Sequence, residues 1–454
     1  MAESDAELTE IPASEILEKI QKGKAVEYDH VRIIDDFDVY KLDLPTKHVD
    51  RTDLKKIPGI SISEECKVVS SSIKITISTF NSQAIFDNIF FEDSINYSIN
   101  FDNTTFSGHA SFRGATFGAC PVFSGATFNR GVFFDGATFN GGADFKGATF
   151  DEGTLFTGVA FSTGANFSDA TFCGYTHFDD ATFGGSADFS RAFFGAVADF
   201  SGNTFSMDAG FSGALFRGDA DFWCASFGMD ANFSCATISG DASFKRTTFS
   251  MNANFSKAAF MDSDFSGAKF VGDVLTFRDA VFSKPKSQEE ACRRAKNVLA
   301  KAGNRDDEEY HFYHEMEAKR IQKGIRGNSG LGLVYLLLKT ETWSFWRFIS
   351  YDVLEWFFVQ KIFGYGVHPV WLFGWWLCFV VVFAAIYLFN GGIEQPDARQ
   401  WYDYFWFSVA TAATPGYALY KPVGTFKFMA GMEAILGTFM WAAFITTFAR
   451  KFMR

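Results

Sequence analysis

Between residues 101 and 282 a phenylalanine returns every five or six positions, at 101, 106, 112, 117, 123, 128, 134, 139, 145 and onward. Ile238 takes one place in the series, and Phe resumes at 244. The intervals alternate, so the true period is eleven, as in GATFNGGADFK. Two residues before most of these Phe sits Ala or Gly, and Thr, Asp or Asn often comes directly before. A solenoid explains the pattern: a large and a small side chain point inward from each side, with polar residues at the corners. Each Phe then stacks on its counterpart one coil away, at ~4.8 Å. An even number of sides is needed to bring like onto like, and four sides give coils of about 22 residues. Residues 101–282 then make about eight coils and a rod of roughly 40 Å. The spacing slips after Phe260, which marks the end of the last coil.

Elsewhere the periodicity changes. Residues 12–23 predict a short helix, with Ser14 as its cap, Ile16, Leu17 and Ile20 as its apolar stripe, and Gly23 as its stop. Short strand-like runs follow at 31–34, 68–69 and 73–77. A solenoid needs a polar cap over its open end, and residues 1–80 are expected to supply it. From 284 to 323 the text turns helical and charged, with a break at Gly303-Asn304-Arg305. Ala291, Ala295, Val298 and Leu299 share one helix face; Tyr310, Tyr313, Met316 and Ala318 lie close together on the other. His311, His314, Glu315 and Glu317 invite a metal reading, but HEMEA lacks the second histidine of H-E-x-x-H. A solvated helical connector over 284–330 is the simpler expectation. Residues 343–363 mix Trp and Phe with Arg347, Asp352, Glu355 and Lys361, which suits a helix lying in a membrane interface.

Two stretches are apolar enough to cross a bilayer, whose hydrocarbon core is ~30 Å thick. Residues 370–393 carry no charge, and 428–449 carry only Glu433. Between them lies 401–422, WYDYFWFSVATAATPGYALYKP, too polar to cross. Non-helical backbone at membrane depth is tolerated only where protein buries it or it lines a water-filled cavity.

The repeat resembles the pentapeptide-repeat family, whose A-(D/N)-(L/F)-x-x units build a right-handed quadrilateral parallel β-helix. The resemblance implies that fold for residues 81–283. Some relatives imitate DNA and bind topoisomerases. Residues 101–282 hold 19 acidic and 10 basic side chains, net −9, which is compatible with such mimicry. Asp as the favoured corner residue accounts for the same charge.

Residues 370–450 resemble the two-span pore module of the potassium-channel superfamily. Phe405, Trp406, Phe407 and Ser408 resemble the aromatic start of its pore helix. Thr411-Ala412-Ala413-Thr414-Pro415-Gly416-Tyr417-Ala418-Leu419 falls where the superfamily has T-x-T-T-V-G-Y-G-D. The resemblance implies a filter of Thr414, Pro415, Gly416, Tyr417 and Ala418, with Thr414 giving an inner hydroxyl ring and 414–417 stacked carbonyls. It also places Trp406, Ser408 and Thr411 in the pore helix. The departures bear on selectivity. Pro415 lacks an N–H, Ala418 replaces a glycine, and Leu419 replaces an acid. Potassium, sodium and non-selective conduction of monovalent cations all stay open. Gly437 falls near the family's hinge glycine, as a gate pivot or a packing residue. Glu433 within the second span is either a cation site in the cavity or a hydrogen-bond partner behind the pore helix. Gly364-Tyr365-Gly366 precedes Pro369 and reads as a turn, not a filter.

Net charge is 41 − 53 = −12, which argues against nucleic acid as a partner. Seven scattered cysteines without a C-x-x-C pair read as buried thiols in a reducing compartment. The acidic, polar start MAESDAELTE predicts no cleaved signal peptide. Lys339, Arg347 and Lys361 before the first span and Arg450, Lys451 and Arg454 after the second predict cytoplasmic termini and a cytoplasmic rod. Little chain follows the second span, so a gating signal is expected from the N-terminal side. No catalytic constellation or cofactor site is evident, so an enzyme is not expected. The whole reads as a multidomain chain: cap 1–80, β-helix 81–283, connector 284–330, interfacial helix 331–369, and an all-α two-span pore domain 370–454. It predicts a homotetrameric cation channel of the cell membrane, in contact with lipid, whose β-helix gates or anchors it. The rival is a non-conducting tethered scaffold whose rod binds a cytoplasmic protein.

Overall fold

The computed structural model describes residues 8–49, 65–92, 99–322, 369–394, 400–413 and 421–452. The chain divides into two compact units, 1–312 and 313–454.

The first unit is a parallel β-solenoid of about twelve turns with four walls. Its strands are mostly two residues long, and each pairs in parallel with the strand 22 residues on: Thr127 with Thr149 and Phe128 with Phe150, Ala165 with Ala187 and Asn166 with Asp188. Such short strands follow from the sequence, since each Ala-x-Phe step reaches a corner before a third inward residue is available. The corners are built by turns such as 167–170, where Ala170 N donates to the Phe167 carbonyl at 3.1 Å and Asp169 sits at φ +59°. Glycine occupies the equivalent place at 114, 125, 136, 147 and 158, where a positive φ carries no side-chain penalty.

The interior is a set of phenylalanine columns. Phe167 lies 4.9 Å from Phe145 and 4.9 Å from Phe189, with rings nearly parallel, and meets Phe156 edge-on at 5.5 Å. Each wall therefore stacks face to face along the rod while opposite walls meet edge to face across it, the two geometries a ring quadrupole favours. The inward Ala two residues earlier is buried along most of the rod, as at Ala126, Ala148 and Ala170.

The first coils depart from expectation. Residues 9–12 and 31–34 pair in parallel with each other, and Arg32 and Ile33 pair with Thr79 and Phe80, so the stretch expected as a cap supplies coils of the solenoid itself. Its period is hidden because Ile33 and Ile75 fill the core in place of Phe, Ile73 takes a small-residue position, and insertions lengthen the coils. The cap proper is helix α1, Ala13–Gln21, which buries Ala13, Ile16 and Ile20. Pro12, not Ser14, holds its N-cap position, and Gly23 follows at φ +62°.

The slip after Phe260 is a one-residue shortening. Ser263 pairs with Ala242, 21 residues back, and register returns by Val281, which pairs with Ala259. The far end is then closed by helix α2, Pro285–Ala302, whose Ala291, Ala295 and Leu299 join the solenoid core. Part of the expected solvated connector is thus a plug. Helix α3, Arg305–Gln322, adds to it. Buried His311 accepts from the Phe277 backbone N–H at 3.0 Å through Nε2, and its Nδ1 lies 2.7 Å from the Asp307 carbonyl. That pairing assigns a neutral ring with its proton on Nδ1 and a structural place for the histidine.

Asp135 is buried on one wall, with Arg113 Nε 3.1 Å from Oδ2. Burial pushes its carboxyl above the ordinary range against the pull of Arg113. The fold therefore prefers the proton, so this group's contribution is present at acid pH and is lost as pH rises through its folded value. Asp135→Asn should flatten that dependence in chemical denaturation and leave the rod up to about 1 kcal/mol more stable at neutral pH. Phe167→Ala should destabilise the rod by about 3–5 kcal/mol in the same assay, while Tyr175→Ala, at an exposed corner, should stay within about 0.5 kcal/mol.

Candidate functional site: a short helix seated between two spanning helices

In the second unit, α4 (Pro369–Asn390) and α6 (Phe426–Phe452) are, among the described residues, the two helices long and apolar enough to cross a membrane. Between them lies α5, Trp401–Ala413, whose 13 residues fall well short of the roughly 20 a crossing requires. Its start is fixed by a reciprocal cap: Asp403 N donates to the Gln400 carbonyl at 3.1 Å, and Gln400 N donates back to Asp403 Oδ2 at 3.3 Å. Asp403, Phe407, Ser408, Thr411 and Ala412 are buried, a spacing that defines one helix face. The segments flanking α5 are tied by an antiparallel ladder, Ile393 to Pro422 and Glu394 to Lys421.

Three contacts seat α5. The first is polar. Glu433 on α6 is fully buried; the Tyr387 hydroxyl of α4 donates to its Oε2 at 2.7 Å, and the Ser408 hydroxyl of α5 meets its Oε1. Ser408 Oγ also lies 2.9 Å from the Val380 carbonyl oxygen of α4. The second is aromatic: Phe407 meets Tyr387 edge-on at 5.1 Å, in a cluster with Ile393 and Ala430. The third is close approach. A Cβ at Gly437 would stand 2.5 Å from the Ala412 carbonyl oxygen and 2.6 Å from its Cα, so α6 and α5 touch backbone to backbone there.

The sequence-derived site residues thus divide. Ser408 and Glu433 come together, which is the hydrogen-bonding alternative for Glu433 and not an open cavity site. Gly437 has the packing contact; its role as a pivot is a separate matter. Thr411 is buried on the same face of α5, and its hydroxyl has no partner among the described residues. Trp406 lies on the outer face, 62% exposed in the single chain. Thr414, Pro415, Gly416, Tyr417 and Ala418 lie outside the described residues, as do the interfacial helix over 343–363 and the Gly364-Tyr365-Gly366 turn. Tyr387 was missed. It carries one of the few polar groups in an otherwise apolar span, and a hydroxyl there needs a partner, a signal that could have found it.

On the rod, the described residues hold one grouping of potential metal ligands, His177, Asp179 and Asp199, with ligand atoms within 4.8 Å of one another. Asp179 is already engaged by Thr157 Oγ1 at 2.9 Å, and burial pushes its carboxyl above the ordinary range.

Comparison with known families agrees with both halves. Residues 375–454 match the family described as "Ion channel". Residues 96–138, 134–182, 145–192 and 225–269 match "Pentapeptide repeats (9 copies)". The chain joins a pentapeptide-repeat solenoid to an ion-channel domain with two membrane-spanning candidate helices, and neither region is of an enzymatic family. Neither curated proteins nor solved structures gave a match.

Seating of α5 by close approach is directly testable. Gly437→Ala should cost about 1–3 kcal/mol in thermal unfolding of the detergent-solubilised protein, because backbone must move to admit the methyl. Gly431→Ala on the same helix has open space and should be neutral or gain up to about 1 kcal/mol.

Proposed function

We propose that four copies of this chain surround one axis in the cell membrane and conduct monovalent cations past residues 414–418. The supporting observation is the helix too short to cross, buried on one face and locked between two spanning helices, within the segment that matches an ion-channel family. A helix held at membrane depth by these polar, aromatic and close-approach contacts positions the chain that follows it. That chain is Thr414-Pro415-Gly416-Tyr417-Ala418, whose carbonyls would replace the water around a passing ion. Thr414 adds a ring of hydroxyls at the inner end. Pro415 and Ala418 alter the filter, so conduction of sodium alongside potassium is the expected outcome.

The outer face of α5 fits an assembly. Trp401 is 67% exposed and, with Tyr402 and Trp406, borders an open apolar groove against Val381 and Leu388 of α4. In a tetramer, neighbouring copies and lipid chains cover such a surface. The basic residues flanking the spans support a reading with both termini and the solenoid in the cytoplasm, the rod gating or anchoring the pore.

Purified full-length protein in planar bilayers should carry cation current. Thr414→Ala or Gly416→Ala should lower it about tenfold or more, the loss expected when one carbonyl or hydroxyl ring is disturbed. Reversal potentials in mixed potassium and sodium name the preferred ion. Absence of current from correctly folded protein favours the tethered scaffold.

A further inference from the structure

The carboxyl of Glu433 is one proton short of satisfying its neighbours. Tyr387 donates to Oε2, which uses the tyrosine's only proton. Ser408 Oγ lies against two oxygens at once, Glu433 Oε1 and the Val380 carbonyl, and a hydroxyl has a single proton to give. If Ser408 donates to Val380, its contact with Oε1 is a bond only when the carboxyl brings a proton of its own. If Ser408 donates to Oε1 instead, the Val380 carbonyl faces a bare lone pair at 2.9 Å. Only the protonated acid makes all three contacts hydrogen bonds.

Among the described residues nothing nearby offsets a charge on this group. The titratable side chains of the elements packed around it are Cys378 and Tyr387 on α4, Tyr402, Asp403 and Tyr404 on α5, Glu394 and Lys421 on the ladder, and Lys427 on α6, whose Arg450 and Lys451 begin about 25 Å farther along the helix. Of these only Tyr387 bonds to it, and no Lys or Arg among the described residues interacts with it. An ionised carboxylate without a cation, fully buried among spanning helices, is strongly disfavoured.

We propose that Glu433 sits in this network as the neutral acid, donating to Ser408, and that loss of this one proton per subunit at alkaline pH unseats the pore helix and shuts conduction. The inference deepens the channel reading and rests on it for its electrical consequence. Glu433 acts here as a positioning residue. It holds α5, and α5 holds the filter segment. Deprotonation removes the bond to Ser408 or sets two oxygens against each other, and it also leaves a charge without a partner.

The test uses the full-length protein in lipid and two independent readouts. Infrared difference spectroscopy should show a protonated carboxylic acid at neutral pH that disappears on alkalinisation and is missing in Glu433→Gln. Open probability in bilayers should fall at least about tenfold as pH rises through the range in which that band is lost, since one proton is linked to seating in each of four subunits. Currents through Glu433→Gln should no longer vary with pH, because its amide donates to Ser408 and accepts from Tyr387 without a proton to lose. Should that variant fail to assemble, Ser408→Ala should shift the same infrared band by removing the acceptor. An unchanged band in either variant, or a Glu433→Gln channel that titrates like the wild type, would overturn the proposal. A wild type without current would instead overturn the channel reading, while the infrared band still decides whether Glu433 holds the proton.

Discussion

Hydrocarbon offers no partner to a backbone amide or carbonyl, and the second unit is organised by that constraint. A helix that stops halfway through a membrane ends with carbonyls that must be satisfied by protein or by water. It also has no length with which to anchor itself. The chain answers with contacts on three sides: a buried carboxyl bridging three helices, an aromatic cluster around Tyr387, and a glycine that lets α6 touch α5 directly. Each contact joins a residue of α5 to a spanning helix, so the position of α5 follows from the packing of α4 and α6. The segment after Ala413 takes its starting point from there.

The first unit solves a different problem by repetition. Most coils of the regular repeat present four Phe and their small partners, and each ring lies about one strand spacing from the next, so a coil adds core without adding a new kind of contact. What a stack cannot do is end itself. The two ends are closed by helices whose Ile, Ala and Leu faces replace the missing coil, α1 at one and α2 at the other. His311 finishes the second plug by accepting a backbone proton of the last coil that a further strand would otherwise take.

Legibility tracked repetition. Phe106, Phe128 and Phe150 announce their column because identical surroundings demand identical side chains at a constant interval. The opening coils obey the same geometry with Ile33, Ile75 and Phe80, but irregular insertions separate them, and a period cannot be read where its interval changes. The plug role of α2 was hidden because its apolar face is made of alanines, which look alike on a solvated helix and on a buried one. At the membrane, Glu433 stood out because a lone charge in an apolar span demands explanation, and both of its explanations were visible. Choosing between them required knowing that Ser408 and Tyr387, 25 and 46 residues away in the chain, converge on the same carboxyl. That convergence depends on helix crossing, which local pattern does not encode.

We propose that α5 is held at membrane depth in order to present the Thr414 to Ala418 backbone to a shared aqueous axis. A density map of the full chain in lipid tests it most directly. Four copies with residues 414–418 facing a continuous water-filled path, and the Ser408, Tyr387 and Glu433 contacts intact behind them, are the expected result. Monomers or dimers with Pro415 packed against lipid, and no water path between copies, would contradict it.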